Sequence, residues 1–282
     1  RYYNYSFSSW VHGWIYNEHK FIDKFNISQY YPHLKIVADE LQANFVKKHG
    51  VDNVVAAGYP YIYIDDNPNI KRFKNSLLIM PPKNSRDILT RWDEDEFINN
   101  IKNLKKDFEN IFFCIDQVSI KNKMWIEKLK KNKFNFIVGA DSRDSNSLLR
   151  MKIIFKHFEY VHSPTIGSAI VYAAYDGCKV SLSENYLEYS LAEYKNHPLY
   201  ETNKEFVEYE IYSRSKDYIK KKFSFLFKDP LKSEYLNEWA ENELGLKFRY
   251  NISEIPKLLG WRMRDKIRFY PMKYLNSLIK KI

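Results

Sequence analysis

The chain has 282 residues and a net charge of +10, from 45 Lys and Arg against 35 Asp and Glu, and it carries 23 Tyr, 19 Phe and 6 Trp against 8 Gly and 10 Pro. That composition excludes a disordered or collagen-like chain and allows one large domain or two modest ones with real cores. No apolar run reaches 18 residues, so no segment spans a membrane, and the only two cysteines, Cys114 and Cys178, sit in apolar runs, as reduced buried thiols do.

The positive field favours anionic partners. No nucleic-acid-binding motif accompanies it, which argues against DNA or RNA as the partner. The N-terminal residues show no basic-then-apolar signal pattern, and the expected location is the cytoplasm. The chain opens at Arg1 without a methionine, which is compatible with a segment upstream.

In chain order, Trp10-Val11-His12-Gly13-Trp14 reads as a strand end turning into a loop. A histidine at such a junction has the ordinary pKa of a general base, and the flanking tryptophans equally suit a histidine held in an aromatic cluster. Residues 34–38 read as a strand, and a helix with Asp39 and Glu40 in its first turn runs to Lys48. His49-Gly50 end it, and a second strand, 51–57, leads into Gly58-Tyr59-Pro60. Strand, helix and strand on short links is the pattern of a parallel sheet. Asp65–Asn69 (DDNPN) is polar and turn-rich, and reads as an interdomain linker.

A second alternating run follows, with strands at 76–80, 111–115, 134–139, 159–162 and 179–182. Helices are expected at 93–110, 119–133 and 146–157, the last capped by Ser145, and from Gly167-Ser168. The order describes a doubly wound, largely parallel sheet. Beyond Ser183 the pattern becomes helical over 187–194, 205–222, 231–244 and 255–259, with a short strand at 245–250. The last stretch, 260–282, is basic, aromatic and amphipathic, a composition shared by solvated terminal helices and by segments lying on an anionic membrane surface. The expected division is 1–66, 67–200 and 201–282.

Ligands of open α/β sheets bind outside the carboxyl ends of the strands. Those ends carry Lys83, Asn84 and Arg86, then Asp116, then Asp141 and Arg143, and finally His162, Ser163, Thr165, Gly167 and Ser168. Cations, hydroxyls and a helix N-terminus together suit a phosphate or diphosphate. Each residue also has a plainer use, as a helix cap or an ion-pair partner. The motifs GxGxxG, GxxxxGK[ST], GxSxG, HExxH and paired CxxC do not occur, so the sequence shows no signature of a metal site, and Asp116, Asp141 and Asp144 read first as turn formers.

WVHGW, ADELQANFVKKHGVDNVVAAGYP, LLIMPPKN and YVHSPTIGSAIVYAAYDGCKVSL, in that order, resemble GT-B glycosyltransferases of bacterial capsule and lipopolysaccharide biosynthesis, and specifically CDP-glycerol glycerophosphotransferases. The resemblance covers roughly residues 9–182. It implies an α/β fold of two Rossmann-like domains with parallel sheets, the N-terminal one abbreviated, followed by C-terminal helices. It implies transfer of a sugar from a nucleotide-sugar donor to a hydroxyl of a glycan or lipid-linked glycan, without a cofactor or metal, by a protein that is cytoplasmic or peripheral on the inner face of the cytoplasmic membrane. By the same resemblance His12 is the catalytic base, His162 with Ser163, Thr165, Gly167 and Ser168 holds the donor phosphates, and Lys83, Asn84, Arg86 and the 141–145 loop, with Asp141, Arg143 and Ser145, line the nucleotide pocket. The glycerophosphotransferases carry Asp-Tyr-Ser-Ser where this chain has His162-Ser163-Pro164-Thr165, which speaks against a glycerol-phosphate donor and leaves CMP-activated acidic sugars open. The alternatives are a nucleotide-sugar epimerase and a non-catalytic subunit of a polysaccharide assembly complex.

Overall fold

A computed structural model describes residues 6–11, 13–25, 31–65, 69–82, 92–122, 125–141, 144–194 and 198–279, with backbone alone at 198–199 and 272–279. In chain order the elements are β1 (Ser9–Trp10), β2 (Lys35–Val37), α1 (Glu40–Lys48), β3 (Val54–Ala56), β4 (Phe73–Ile79), α2 (Glu94–Asn103), β5 (Asn110–Ile115), α3 (Gln117–Lys121), α4 (Ile126–Lys131) and β6 (Asn135–Val138). There follow α5 (Ser147–His157), β7 (Phe158–Ser163), α6 (Ser168–Tyr175), β8 (Lys179–Leu182), α7 (Pro198–Thr202), α8 (Lys204–Ser213), α9 (Lys216–Phe223), α10 (Asn237–Glu243), α11 (Ile255–Leu258) and α12 (Met263–Ile279). The fold is α/β, with two parallel sheets and helices at the C-terminal end. Among the described residues no helix is long and apolar enough to cross a membrane.

Two compact units divide the chain, Arg1–Asp65 with Glu241–Ile282, and Asp66–Ala240. The first break falls in the polar Asp65–Asn69 stretch. The expected 201–282 segment is shared between the units, because residues 244–245 fold against the first one. The Tyr59 amide donates to Leu244 O at 3.0 Å, and Gly245, in the left-handed region at φ 70°, lies so close to Ala38 that a Cβ would stand 2.4 Å from its carbonyl oxygen. Only glycine fits there. The same close approach turns residues 246–248 into a 3-10 turn where a strand was expected.

In the first unit β1, β2 and β3 form a three-stranded parallel sheet in that order. α1 forms where its caps demand. Asp39 accepts from the Gln42 amide at 2.8 Å, Ala43 and Val46 turn inward, and His49 and Gly50 (φ 82°) end the helix.

The second unit holds five parallel strands in the order β6-β5-β4-β7-β8. Its central strands end in buried apolar runs, and Leu77, Leu78 and Ile79 of β4 are fully buried. Phe97, Ile98 and Ile101 from α2 close one face over Leu77, Ile79, Phe113 and Ile115. The helix expected at 119–133 is two helices. Asp116 starts the first, accepting from the Val118 and Ser119 amides at 2.8 and 2.9 Å, and Trp125, at φ 67°, caps the second. The 205–222 helix likewise breaks at Arg214-Ser215, where Ser215 Oγ accepts from the Tyr218 amide and opens α9.

Candidate active site

The strand order of the second unit reverses between β4 and β7. Loops leaving two neighbouring strands on opposite faces open a crevice at such a switch point. Here the loops are Met80-Pro81-Pro82 after β4 and the turn after Ser163. Parallel pairing sets Ile79 beside His162, and the Met80 amide donates to His162 O at 2.8 Å. Ser163 ties the two strand ends together. Its hydroxyl donates to Met80 O at 2.9 Å and accepts from the Thr165 amide at 3.2 Å. The turn is buttressed from behind, since the Ile166 amide donates to the Tyr186 hydroxyl at 3.2 Å and the Leu187 amide to Pro164 O at 2.8 Å.

Helix α6 opens from this turn. Gly167 occupies its N-cap in fully extended backbone (φ 172°) and brings no capping side chain, and a Cβ placed there meets nothing within 4 Å. Thr165, Gly167 and Ser168 are half-buried. The Ile170 amide donates to Gly167 O at 3.0 Å, and the positive end of α6, with its Ser168 and Ala169 amides, lies at the carboxyl end of the sheet. At the other end of α6 the Arg72 guanidinium donates to the Asp176 and Gly177 carbonyls, complementing the negative terminus. A buried Lys152–Asp176 pair, 3.3 Å apart, fastens α5 to the same corner.

The structure separates the sequence-predicted residues. Ser163, Thr165, Gly167 and Ser168 meet at the switch point. His162 lies just below it, but inside the unit. It is 5% exposed, its ring stacks on Phe97 at 6.3 Å, and Nδ1 shares a 2.9 Å hydrogen bond with Ser181 Oγ. Burial lowers its pKa to about 4, against the opposing pull of the Asp229 carboxylate. A neutral, enclosed imidazole of this kind positions the end of β7 through Ser181 and adds no positive charge there. Ser145 is exposed and does not cap α5, which begins at Ser147. Asp144 shapes this end instead, accepting from the Asn146 amide at 2.9 Å and pairing with Arg150 at 2.9 Å. Those contacts hold the Asp144 carboxyl below the usual carboxylate range. Asp116 is committed to capping α3. Asp141 stands at the carboxyl end of β6, and its carbonyl accepts from the Asp144 amide. His12, Lys83, Asn84, Arg86 and Arg143 lie outside the described residues.

In the first unit the two motifs that the sequence shows as separate words are in contact. Trp10 Nε1 donates to Gly58 O at 2.8 Å, Trp10 meets Tyr63 edge-on at 5.3 Å, and the Ile15 amide donates to the Tyr59 hydroxyl at 2.8 Å. Gln42 Nε2 donates to that same hydroxyl, and Trp14 Nε1 donates to Glu243 at 2.9 Å. Residues on both sides of His12 are therefore anchored at the carboxyl ends of β1 and β3.

Sequence reasoning missed Tyr186, Asn185 and Trp92. Trp92 Nε1 donates to Asn185 Oδ1 at 2.8 Å, joining the approach to α2 to the segment after β8. The signal was an aromatic followed closely by the Asp93 cap, and a Tyr in an otherwise polar stretch, SENYLEY. An apolar cavity of about 690 Å³ in this unit lies elsewhere, under α5, lined by Phe112, Ile137, Leu149, Ile153 and Phe158 among others. Its lining also includes Asn146, Arg150 and His157.

Buried neutral His162 also makes a pH prediction. In the unfolded chain its pKa is near 6.5, and in the fold about 4, so the unfolded state binds the extra proton between those values. Stability is full above pH 6.5 and falls as pH drops through this window, by about 3 kcal/mol in all. Urea titrations at pH 7 and pH 4.5 should show that loss in the wild type and a smaller one in His162→Gln.

The fold is that of an α/β protein of two parallel-sheet units, the second with a topological switch point between β4 and β7. No family model matches the chain, and no curated protein matches it. Among solved structures it is similar to TarM (14% identity, 86% of this chain and 50% of that chain, TM-score 0.32). It is also similar to a mutant of S. aureus TarM in complex with Fondaparinux, alpha-GlcNAc-glycerol and UDP (14%, 76% and 43%, TM-score 0.30), and to WaaG, a glycosyltransferase involved in lipopolysaccharide biosynthesis (16%, 82% and 61%, TM-score 0.32). The chain thus spans between 43% and 61% of the length of these structures.

Proposed function

We propose that the chain is a cytoplasmic glycosyltransferase that moves a sugar from a nucleotide-sugar donor to a hydroxyl of a bacterial surface glycan or lipid-linked glycan. The observation that carries this reading is the opening of α6, through Gly167, at the β4/β7 switch point, with Ser163 locking both strand ends beneath it. A diphosphate or phosphodiester seated there would accept from the first amides of α6 and from the Thr165 hydroxyl, with Ser168, whose side chain hydrogen-bonds Tyr172, at its edge. The β4 and β6 loops, with Lys83, Asn84, Arg86, Asp141, Arg143 and Ser145, would supply the nucleotide side and further cations.

In the proposed reaction His12 takes the proton of the acceptor hydroxyl. The acceptor oxygen then forms a bond to the anomeric carbon, while the bond from that carbon to the phosphate oxygen breaks and its electron pair leaves with the nucleotide. Negative charge grows on the departing phosphate, and fixed dipoles and cations lower its energy in the transition state. His162 acts as a positioning residue, holding β7 against β8 through Ser181. The sequence between Tyr160 and Thr165 disfavours a glycerol-phosphate donor. A thermal-shift screen of UDP, GDP, CDP and CMP and their sugars tests the reading. One nucleotide class should raise the melting temperature, and stabilisation by none of them would favour the non-catalytic alternative.

A further inference from the structure

The N-terminal half of α12 is apolar on the wrong side. At about 100° per residue, Met263, Ile267 and Tyr270 fall within about 60° of arc, while Asp265 and Phe269 fall on the opposite side. That opposite side is the one packed on the protein. Phe269 is buried, its ring lies 5.9 Å from Phe7 and 4.9 Å from His33, and Asp265 is buried as well. The solvent side should then be polar. Instead Met263 is 73% exposed, Ile267 72% and Tyr270 50%, with Tyr270 touching Phe7 only edge-on.

Charges complete the pattern. Arg264 and Arg268 lie on one flank of this stripe and Lys266 on the other. The helix carries a single acid, Asp265. That acid sits on the protein side, and Arg262 holds it there with hydrogen bonds of 2.6 and 3.1 Å, which keep its carboxyl below the usual carboxylate range. Arg264 approaches the same carboxylate only at 3.8 Å, and its side chain is 71% exposed. Arg268 lies over the Phe269 ring at 5.2 Å. An apolar ridge bordered by cations on both flanks, on a helix whose other face is already packed, is complementary to one kind of surface. Its apolar groups enter the boundary of a lipid layer while its cations meet anionic head groups.

We infer that α12 docks the protein on an anionic lipid bilayer through Met263, Ile267 and Tyr270, with Arg264, Lys266 and Arg268 against the head groups. The inference rests on α12 alone and does not depend on the proposed reaction. The test is co-sedimentation of the 282-residue chain with vesicles of phosphatidylcholine alone, or of phosphatidylcholine with phosphatidylglycerol. Binding is expected only to the anionic vesicles, and it should weaken as salt rises. The double substitution Met263→Ser, Ile267→Ser should weaken it about 10-fold, and Arg264→Glu, Arg268→Glu should abolish it, with the thermal unfolding of both variants unchanged. Single Ile267→Ser is the fallback if a double variant misfolds. Absent vesicle binding by the wild type, or binding unchanged in the folded variants, overturns the inference. So does a concentration-dependent dimer, seen by sedimentation velocity and broken by the same substitutions without vesicle binding, which would make the ridge a contact between copies.

Discussion

Replacing Gly167 by aspartate should sharply weaken nucleotide binding while leaving the fold as stable as before, or slightly more so. The two halves of this expectation have separate causes. Gly167 is the N-cap of α6 in extended backbone, which any residue adopts, and a Cβ there meets open space. Aspartate is a favoured N-cap whose carboxylate accepts from first-turn amides, and relative to glycine this gains a few tenths of a kcal/mol. Those same amides and the dipole behind them are what the proposed phosphate site uses. An aspartate would occupy them and set a negative charge against the incoming one. Binding of the matching nucleoside diphosphate should weaken about 100-fold, equivalent to ~2.7 kcal/mol. Isothermal titration of wild type and variant, with their melting curves, reads both halves. Equal affinities would move the phosphate site away from α6.

The second large effect is expected at His12. His12→Ala should lower turnover by about two to four orders of magnitude, the range that a positioned general base supplies, with nucleotide affinity nearly unchanged. The residues on either side explain why a local change should remain local. Trp10 is fixed to Gly58 and Tyr63, Ile15 to Tyr59 and Trp14 to Glu243, so the segment has anchors that do not pass through residue 12. Comparing turnover at saturating donor with donor affinity separates the roles. A loss confined to affinity would make His12 a binding residue, and full activity would remove it from the chemistry.

Much of this architecture was legible in the sequence because local rules and global fold agree. Asp39 and Gly50 bracket α1 as a cap and a terminator should, and the apolar runs from Leu77 to Leu182 alternate with helices as a parallel sheet requires. The turn at residues 163–167 was equally readable, because Pro164 and Gly167 mark where strand yields to helix. What escaped depends on contacts distant in sequence. Nothing in GLKFRY says that Gly245 lies against Ala38, so its strand-like pattern misled. The string YVHSP puts a histidine at a strand end, but whether that ring faces the crevice or the core depends on Phe97 and Ser181, far off in the chain. The Ser145 cap was a near miss of the same origin, since Asp144, one residue earlier, reaches Asn146 and gains Arg150 as a partner. Likewise the ridge on α12 shows in the sequence only as basic, aromatic composition, and becomes a surface once Phe269 and Asp265 are seen to face inward.

The central claim is that a nucleotide sugar is bound at the β4/β7 switch point and broken down there. It is tested most directly by incubating the chain with a panel of UDP-, GDP-, CDP- and CMP-linked sugars and following release of the free nucleotide, with Gly167→Asp as the paired control. The expected result is saturable release from one nucleotide class, accelerated by a glycan acceptor and lost in Gly167→Asp. Release from none of the panel, or release that Gly167→Asp leaves untouched, would contradict it.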